Sequence, residues 1–420
     1  MRSKISKAIS HPLISGSFLL ISGGVLANLF SFIFNFFMSR NLRVEDYGTF
    51  VSLVSIITLL SIPASALAPT IVTLAGNYFA EKNLGMVHAL YIKIIKILIV
   101  FSLFLIILFT VFAPNVAAFF NIEETVLLPL TAVAIMFSYV FTINLSFFQA
   151  RLSFKLLPSL SVVSSFSKLI FGVLLVLIGF GLGGAVVSYL LSYFIPIVLA
   201  TYFLRSILFH KSSSKPRISY GELVSFGIPS AIIIFCLNAF ITVDILLIKH
   251  LFSEMDAGFY AGLSLVGRVV FYVTAPVTTV MFPIIINRFK NGLPYKNILY
   301  AAIGITTGIS LFVTGFYFVF PQFTILFFLK KAEYLAVSNN LGMFGIFITL
   351  YSLISVFSYY FLSIKQTKIA FLLVGGVVLQ IILIYLFHSS FNEVLNISIL
   401  VSVLVLTGLI AFYKILSSRK

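Results

Sequence analysis

Apolar runs of about twenty residues or more recur along the whole of this 420-residue chain, separated by short polar connectors. A helix rises about 1.5 Å per residue, so each run can cross the ~30 Å hydrocarbon core of a bilayer. The chain is 61% hydrophobic and 9% charged. Soluble domains carry about 25% charged residues, and no soluble fold hides this much apolar surface. Lipid offers the backbone no hydrogen bonds, so continuous apolar runs cross it as helices. The expected class is an all-α polytopic membrane protein. Its spans fall near 13–38, 47–79, 90–113, 125–148, 157–180, 184–209, 220–247, 257–282, 297–320, 334–363, 369–388 and 394–414, about twelve in all. The basic start (Arg2, Lys4, Lys7) resembles a signal peptide. The first apolar stretch exceeds the ~7–15 residues of such a segment and lacks a convincing small-residue cleavage site, so we expect it to be retained.

The net charge of +16 invites a nucleic-acid reading, and the placement of the charges argues against one. Alternate connectors on one side hold 20 of the 27 Lys and Arg residues. The other side holds Arg40, Arg43, Lys249, Lys330 and Lys331 with most of the acids, among them Glu45, Asp46, Glu123, Glu124, Glu254 and Asp256. By the positive-inside rule the first side is cytoplasmic, and so are both termini. The charge then sets orientation and meets anionic lipid heads, and no nucleic-acid partner is needed. The single cysteine, Cys236, lies inside a span and reads as a packing residue. Phosphate-loop, His-Glu-x-x-His, Cys-x-x-Cys and Gly-x-Ser-x-Gly signatures are missing. We therefore expect no enzyme activity, no cofactor and no metal.

The polar pattern repeats. A shift of 210 places Asp46 on Asp256, Gly48 on Gly258, Asn28 on Asn238 and Arg40 on His250. A shift of 213 places FFQARLSFK (147–155) on YFLSIKQTK (360–368). Six spans separate the copies, an even number, so both halves enter the membrane the same way up. The chain then reads as two parallel six-helix halves, 1–210 and 211–420, around a central cavity that holds the site. The basic, Ser- and Pro-containing HKSSSKPRIS (210–219) links them. In each copy the Asp is expected to cap the second helix and the Gly to allow a tight turn. Arg40, Asp46, Gly48, Asp256 and Gly258 are thus candidate hinge residues of the outer turns.

FMSRNLRVEDYGTFVSLVSI resembles the start of bacterial polysaccharide-export flippases, whose first outer turn reads Ser-Arg-x-Leu-x-x-x-Asp/Glu-Tyr-Gly. The matching positions are Ser39, Arg40, Leu42, Asp46, Tyr47 and Gly48. Where the family usually has a Gly within this turn, Arg43 or Val44 stands here. FFQARLSFK resembles the family's inner turn between spans four and five. The family belongs to the multidrug/oligosaccharidyl-lipid/polysaccharide exporter superfamily. The resemblance implies a flippase of the bacterial inner membrane that moves undecaprenyl-diphosphate-linked O-antigen or capsule repeat units. It implies a lipid-linked oligosaccharide as substrate, membrane lipids around it, and a polymerase and chain-length regulator as pathway partners. A cation-coupled drug exporter of the same superfamily and a membrane polysaccharide polymerase are the rival readings.

Charges in mid-span carry the chemistry. Lys168 and Arg268 each lie ~18 Å into a span at 1.5 Å per residue, one in each half. Ser161, Ser164, Ser165, Lys168 and Gly172 share a helix face, as do Gly24, Asn28, Ser31 and Asn35. A charge at this depth costs roughly 2.5–3.5 kcal/mol on insertion scales, a cost that about six leucines offset. Either the cations bind an anionic diphosphate, Arg as a planar fork and Lys as a point charge, or they form an ion pair with Asp244. Of the acids only Asp244 and Glu222, the latter in the first turn of the same span, fall within the expected bounds; Asp244, nearer the outer end, is the candidate for ion coupling. Asn28 and Asn238 read first as helix–helix hydrogen-bonding groups and second as substrate contacts. Gly304 and Gly308 form a Gly-x-x-x-Gly packing motif. Pro63, Pro69, Pro276 and Pro283 are candidate kinks in spans two and eight. The orientation is tested by labelling single cysteines from outside intact cells. Glu123→Cys is modified and Ser213→Cys is not; the reverse pattern overturns the topology.

Overall fold

The computed structural model describes residues 12–153, 155–208 and 228–418. Arg2, Lys4 and Lys7, the linker at 210–219, and Arg419 and Lys420 lie outside the described residues. No strand occurs among those described. The helices are α1 (Pro12–Asn41), α2 (Val44–Leu60), α3 (Ile62–Ala80), α4 (Leu84–Val111), α5 (Ala113–Phe119), α6 (Leu127–Ala150), α7 (Leu156–Leu175) and α8 (Gly181–Leu208). There follow α9 (Ile228–Phe240), α10 (Val243–Leu251), α11 (Glu254–Gly267), α12 (Val269–Lys290), α13 (Lys296–Val319), α14 (Pro321–Leu329), α15 (Leu341–Ser363), α16 (Ile369–Leu386) and α17 (Phe391–Ser418). A π turn at Val176–Phe180 joins α7 to α8, and a 3₁₀ segment at Ala332–Asn340 leads into α15.

Ten helical stretches among the described residues are long and apolar enough to cross a membrane, eleven with the bent pair α9–α10 counted as one span. One of the ten, Leu156–Arg205, doubles back: α7 and α8 lie side by side. The reversal uses Gly179 (φ 97°) and Gly181 (φ 46°), backbone that side chains with a Cβ avoid. Counting both limbs gives the expected twelve crossings. The described residues of Met1–Leu42 and Leu60–Leu223 form one compact unit, and those of Arg43–Leu59 and Val224–Lys420 the other. The span expected at 47–79 is therefore divided: α2 belongs to the second unit and α3 to the first.

The internal repeat is written in local backbone. Left-handed residues end helices at Lys82, Asn121 and Leu152 in the first copy and at Gly292, Lys330 and Lys365 in the second, at shifts of 210, 209 and 213. At 152 and 365 the hydrogen bonds coincide. Arg151, Leu152 and Ser153 donate to the carbonyls of Phe147, Gln149 and Phe148; Ile364, Lys365 and Gln366 donate to those of Tyr360, Leu362 and Phe361. This is the Schellman closure, which satisfies the last carbonyls of a helix through one left-handed residue. Span three ends in a short helix after Phe112, with Pro114 in its first turn, and span nine ends the same way after Phe320, with Pro321. Pro fits the first turn of a helix because its missing N–H is unpaired there anyway. The fourth and tenth spans are the most enclosed of their units, 61% and 78% buried. In the first unit α6 packs against α3, α4 and α8, and in the second α15 packs against α12, α13 and α17.

Several local expectations change. Span two breaks at Ser61 with Pro63 just inside α3, but span eight breaks at Arg268, while Pro276 and Pro283 lie within the continuous α12. Gly304 and Gly308 face open space within 4 Å, so they are not a helix contact among the described residues. The outer-turn aspartates are not the N-caps. Helices α2 and α11 begin two residues earlier; Ser253 caps α11 by accepting from Asp256 N at 3.1 Å, and Asp46 instead pairs with Arg43 at 2.9 Å. The glycines serve close approach, not a turn. A Cβ on Gly48 would lie 2.6 Å from Gly258 N, and one on Gly258 would collide with the Val44 carbonyl. The two copies of the Asp-x-Gly motif thus meet backbone to backbone within the second unit. Arg40 lies over the Phe36 ring at 3.6 Å. Gly258→Ala forces these backbones apart, and overpacking of this kind costs about 1–3 kcal/mol. Its thermal midpoint in detergent falls below wild type, whereas Gly304→Ala, with space for the methyl, holds or rises by the helix propensity of Ala. Equal midpoints for the two variants would refute the close-approach role.

Candidate functional site

In the first unit the polar stripe of α1 faces that of α7. Lys168 Nζ donates to Ser31 Oγ at 3.2 Å, and Ser31 Oγ donates to Ser165 Oγ at 3.2 Å. The ammonium also lies 4.7 Å from the Tyr189 ring and 5.2 Å from the Phe34 ring, which meet edge to face at 5.8 Å. Gly172 makes this possible: a Cβ there would collide with the Phe34 ring and stand 2.6 Å from Met38. Aromatic faces attract a cation, by up to ~2 kcal/mol where water is excluded, which offsets much of the insertion cost of the lysine. Lys168 remains half-buried and forms no ion pair among the described residues. Asn28 is exposed, and Asn35 turns its amide onto the Ser31 carbonyl of its own helix at 2.8 Å.

In the second unit span seven is broken. Helices α9 and α10 meet at 46°, and the break leaves the carbonyls of Phe240 and Ile241 without their helical donors. Gln380 Nε2 donates to Phe240 O at 3.3 Å and to Ser398 Oγ at 3.2 Å. Arg268, itself at the break between α11 and α12, donates from its Nη2 to Ile241 O. Thr242 Oγ1 closes on Asn238 O at 2.6 Å, and the Asn238 amide bonds Ile234 O of its own helix at 2.8 Å. The helix–helix role expected for Asn238 is thus replaced by a bond along α9. Asp244 starts α10, is 0% exposed, and accepts from Tyr260 Oη at 2.8 Å and Ile245 N at 2.9 Å. No ion pair within 4 Å joins it to Arg268, although the guanidinium field reaches the carboxyl. Arg268 Nε is buried with no hydrogen-bond partner among the described residues.

The structure therefore gathers Lys168 with the α1 stripe, and Arg268 with Asp244 and Asn238 at the span-seven break. Tyr260, Gln380 and Tyr189 were missed by sequence reasoning. A single amide in the middle of LLVGGVVLQIILIYL was signal enough for Gln380, because a buried amide in lipid must serve a hydrogen bond. Lys249, counted among the outer-turn cations, is 0% exposed within α10.

A family model described as "Polysaccharide biosynthesis protein" matches residues 37–338, nearly three quarters of the chain. None of the curated proteins matches the sequence. Among solved structures, the lipid II flippase MurJ in an inward closed conformation is similar at TM-score 0.69 and 17% identity, over 95% of this chain and 88% of that one. The MATE multidrug transporter DinF-BH is similar at TM-score 0.68 and 14% identity, over 96% and 95%. The eukaryotic MATE transporter AtDTX14 is similar at TM-score 0.66 and 19% identity, over 97% of both chains. Identities this low speak for the fold, which is that of repeated helical halves. The chain belongs to the polysaccharide biosynthesis protein family and has the fold of the multidrug/oligosaccharidyl-lipid/polysaccharide exporter superfamily.

Proposed function

We propose that this protein flips undecaprenyl-diphosphate-linked oligosaccharide repeat units, of O-antigen or capsule type, across the bacterial inner membrane by alternating access. The observation that carries the reading is the balance of charge inside the membrane. Lys168 and Arg268 are half-buried cations with no carboxylate in ion-pair range among the described residues. Asp244, an acid within span seven, is sealed and occupied by Tyr260. A diphosphate needs cations; a cationic drug needs a presented carboxylate. The family match to polysaccharide biosynthesis and the fold shared with a lipid II flippase support the same direction. The MATE-like fold keeps the drug exporter as the second reading.

In this mechanism the halves at 1–210 and 211–420 provide alternating access, with both termini in the cytoplasm. Lys168 and Arg268 are the groups that hold the diphosphate, Asn28 and Asn238 contact the sugar, and the polyprenyl tail stays in lipid. Arg40, Asp46, Gly48, Asp256 and Gly258 form the outer hinge. Moving two negative charges outward is favoured by about 4.6 kcal/mol per 100 mV of inside-negative potential, and coupling through Asp244 is a second drive. The protein holds and releases its substrate without making or breaking a covalent bond. A polymerase and a chain-length regulator act on the product.

The test is restoration of surface polysaccharide in a strain lacking its own flippase, with protein level checked. Losing one charge-assisted contact costs about 1.5–3 kcal/mol, so Lys168→Ala and Arg268→Ala each lower transport about tenfold or more. Arg268→Lys keeps the charge without the fork and retains partial activity. Wild-type polymer from well-expressed Lys168→Ala and Arg268→Ala variants would refute the diphosphate site.

A further inference from the structure

A cleft of about 680 Å³ runs along the second unit between α13 and α17, with α15 as its floor. Its size is that of a small-molecule pocket, which typically spans roughly 300–1,000 Å³. Leu353 and Phe357 form the floor, and Ile303, Leu406 and Ile410 form the walls. From Leu406 to Lys414 the cleft follows α17 for ~12 Å at about 1.5 Å per residue, most of the ~15 Å of one leaflet of a ~30 Å hydrocarbon core. On the other faces of the wall helices Ile305 and Phe312 of α13 and Leu404 of α17 are 52%, 78% and 49% exposed, so these helices meet lipid. The cleft between them is open as well: its wall residue Tyr300 is 55% exposed.

Its basic end is different. Tyr300 and Tyr413 join their hydroxyls at 2.9 Å across the walls, and the exposed Lys414 stands beside them. An apolar trough ~12 Å long at 1.5 Å per residue, ending in an ammonium and two phenols, is complementary to part of one acyl chain topped by a phosphate. Lys next to a phosphate acts as a point charge, and tyrosines favour the boundary between hydrocarbon and head groups. Among the described residues the corresponding place in the first copy is filled: α4 and α8 touch each other, and Leu90, which falls on Tyr300 at the 210 shift, is 0% exposed.

We propose that this cleft is a resident binding site for an anionic glycerophospholipid of the leaflet on the basic face. One acyl chain lies between Ile303, Leu406 and Ile410, and the phosphate meets Lys414. This site is separate from the diphosphate site proposed above and does not depend on it.

Native mass spectrometry of the purified full chain tests the proposal, with phosphatidylglycerol and phosphatidylethanolamine of matched chains as probes. Wild type retains one phosphatidylglycerol about fivefold better than phosphatidylethanolamine, the worth of one basic side chain beside anionic lipid. Lys414→Gln brings the ratio near one. Ile410→Trp fills the trough and abolishes retention, and Leu406→Phe, a smaller intrusion, weakens it should the tryptophan variant fail to fold. Phe312→Trp, on the open lipid face, leaves retention unchanged. Equal retention of both lipids, retention of neither, or an unchanged preference in Lys414→Gln would overturn the proposal. Displacement of the lipid by equimolar undecaprenyl phosphate would assign the trough to a substrate tail. A dimer dispersed by Ile410→Trp would make it an interface between copies. Either result also overturns the proposal.

Discussion

Every carbonyl freed by a break in a membrane helix must find a donor inside the protein, because lipid supplies none. The second unit is organised around that requirement. Span seven breaks between α9 and α10, and the opened carbonyls of Phe240 and Ile241 are met by Gln380 and Arg268. An unmet buried carbonyl costs several kcal/mol, comparable with the roughly 2.5–3.5 kcal/mol of placing an arginine at this depth. The break and the charge therefore stabilise one another. Asp244 begins the next helix beside them, and its carboxylate is held by Tyr260. One guanidinium arm is committed to the backbone while Nε is not, so the group is anchored and still has donors to offer.

The first unit reaches a similar end by other means. Lys168 has no broken helix to serve; its charge is lodged between Tyr189, Phe34 and the Ser31 hydroxyl. Gly172 and Phe34 bring α1 and α7 close enough for this. The two halves thus share helix lengths, left-handed caps and interrupted spans, yet hold their mid-membrane cations by unrelated contacts.

How far this was legible in the sequence follows from range of interaction. Span length and charge asymmetry are local sums, so the helical class and about twelve crossings could be read directly. The polar positions of the repeat could be aligned because Asp46/Asp256 and Gly48/Gly258 keep nearly the same spacing. Other features depend on partners far along the chain. Nothing near Asp244 in sequence announces Tyr260, and nothing near Phe240 announces Gln380. Non-glycine residues in left-handed caps, Lys82 and Leu152 among them, carry no local signature at all. The close approach of Gly48 and Gly258 was not legible, because a turn is a local property and close approach of two helices is not. The cleft beside Tyr300 and Tyr413 was invisible for the same reason.

The central claim is that Lys168 and Arg268 recognise a diphosphate. Its most direct measurement is binding of undecaprenyl diphosphate and of undecaprenol to the protein reconstituted in nanodiscs. The account predicts about hundredfold tighter binding of the diphosphate, roughly tenfold per cation, weakened only modestly by salt because the cations are partly buried. It also predicts that the preference collapses in the double variant Lys168→Gln, Arg268→Gln. Equal affinity for the two lipids, or a preference that survives the loss of both charges, would contradict it.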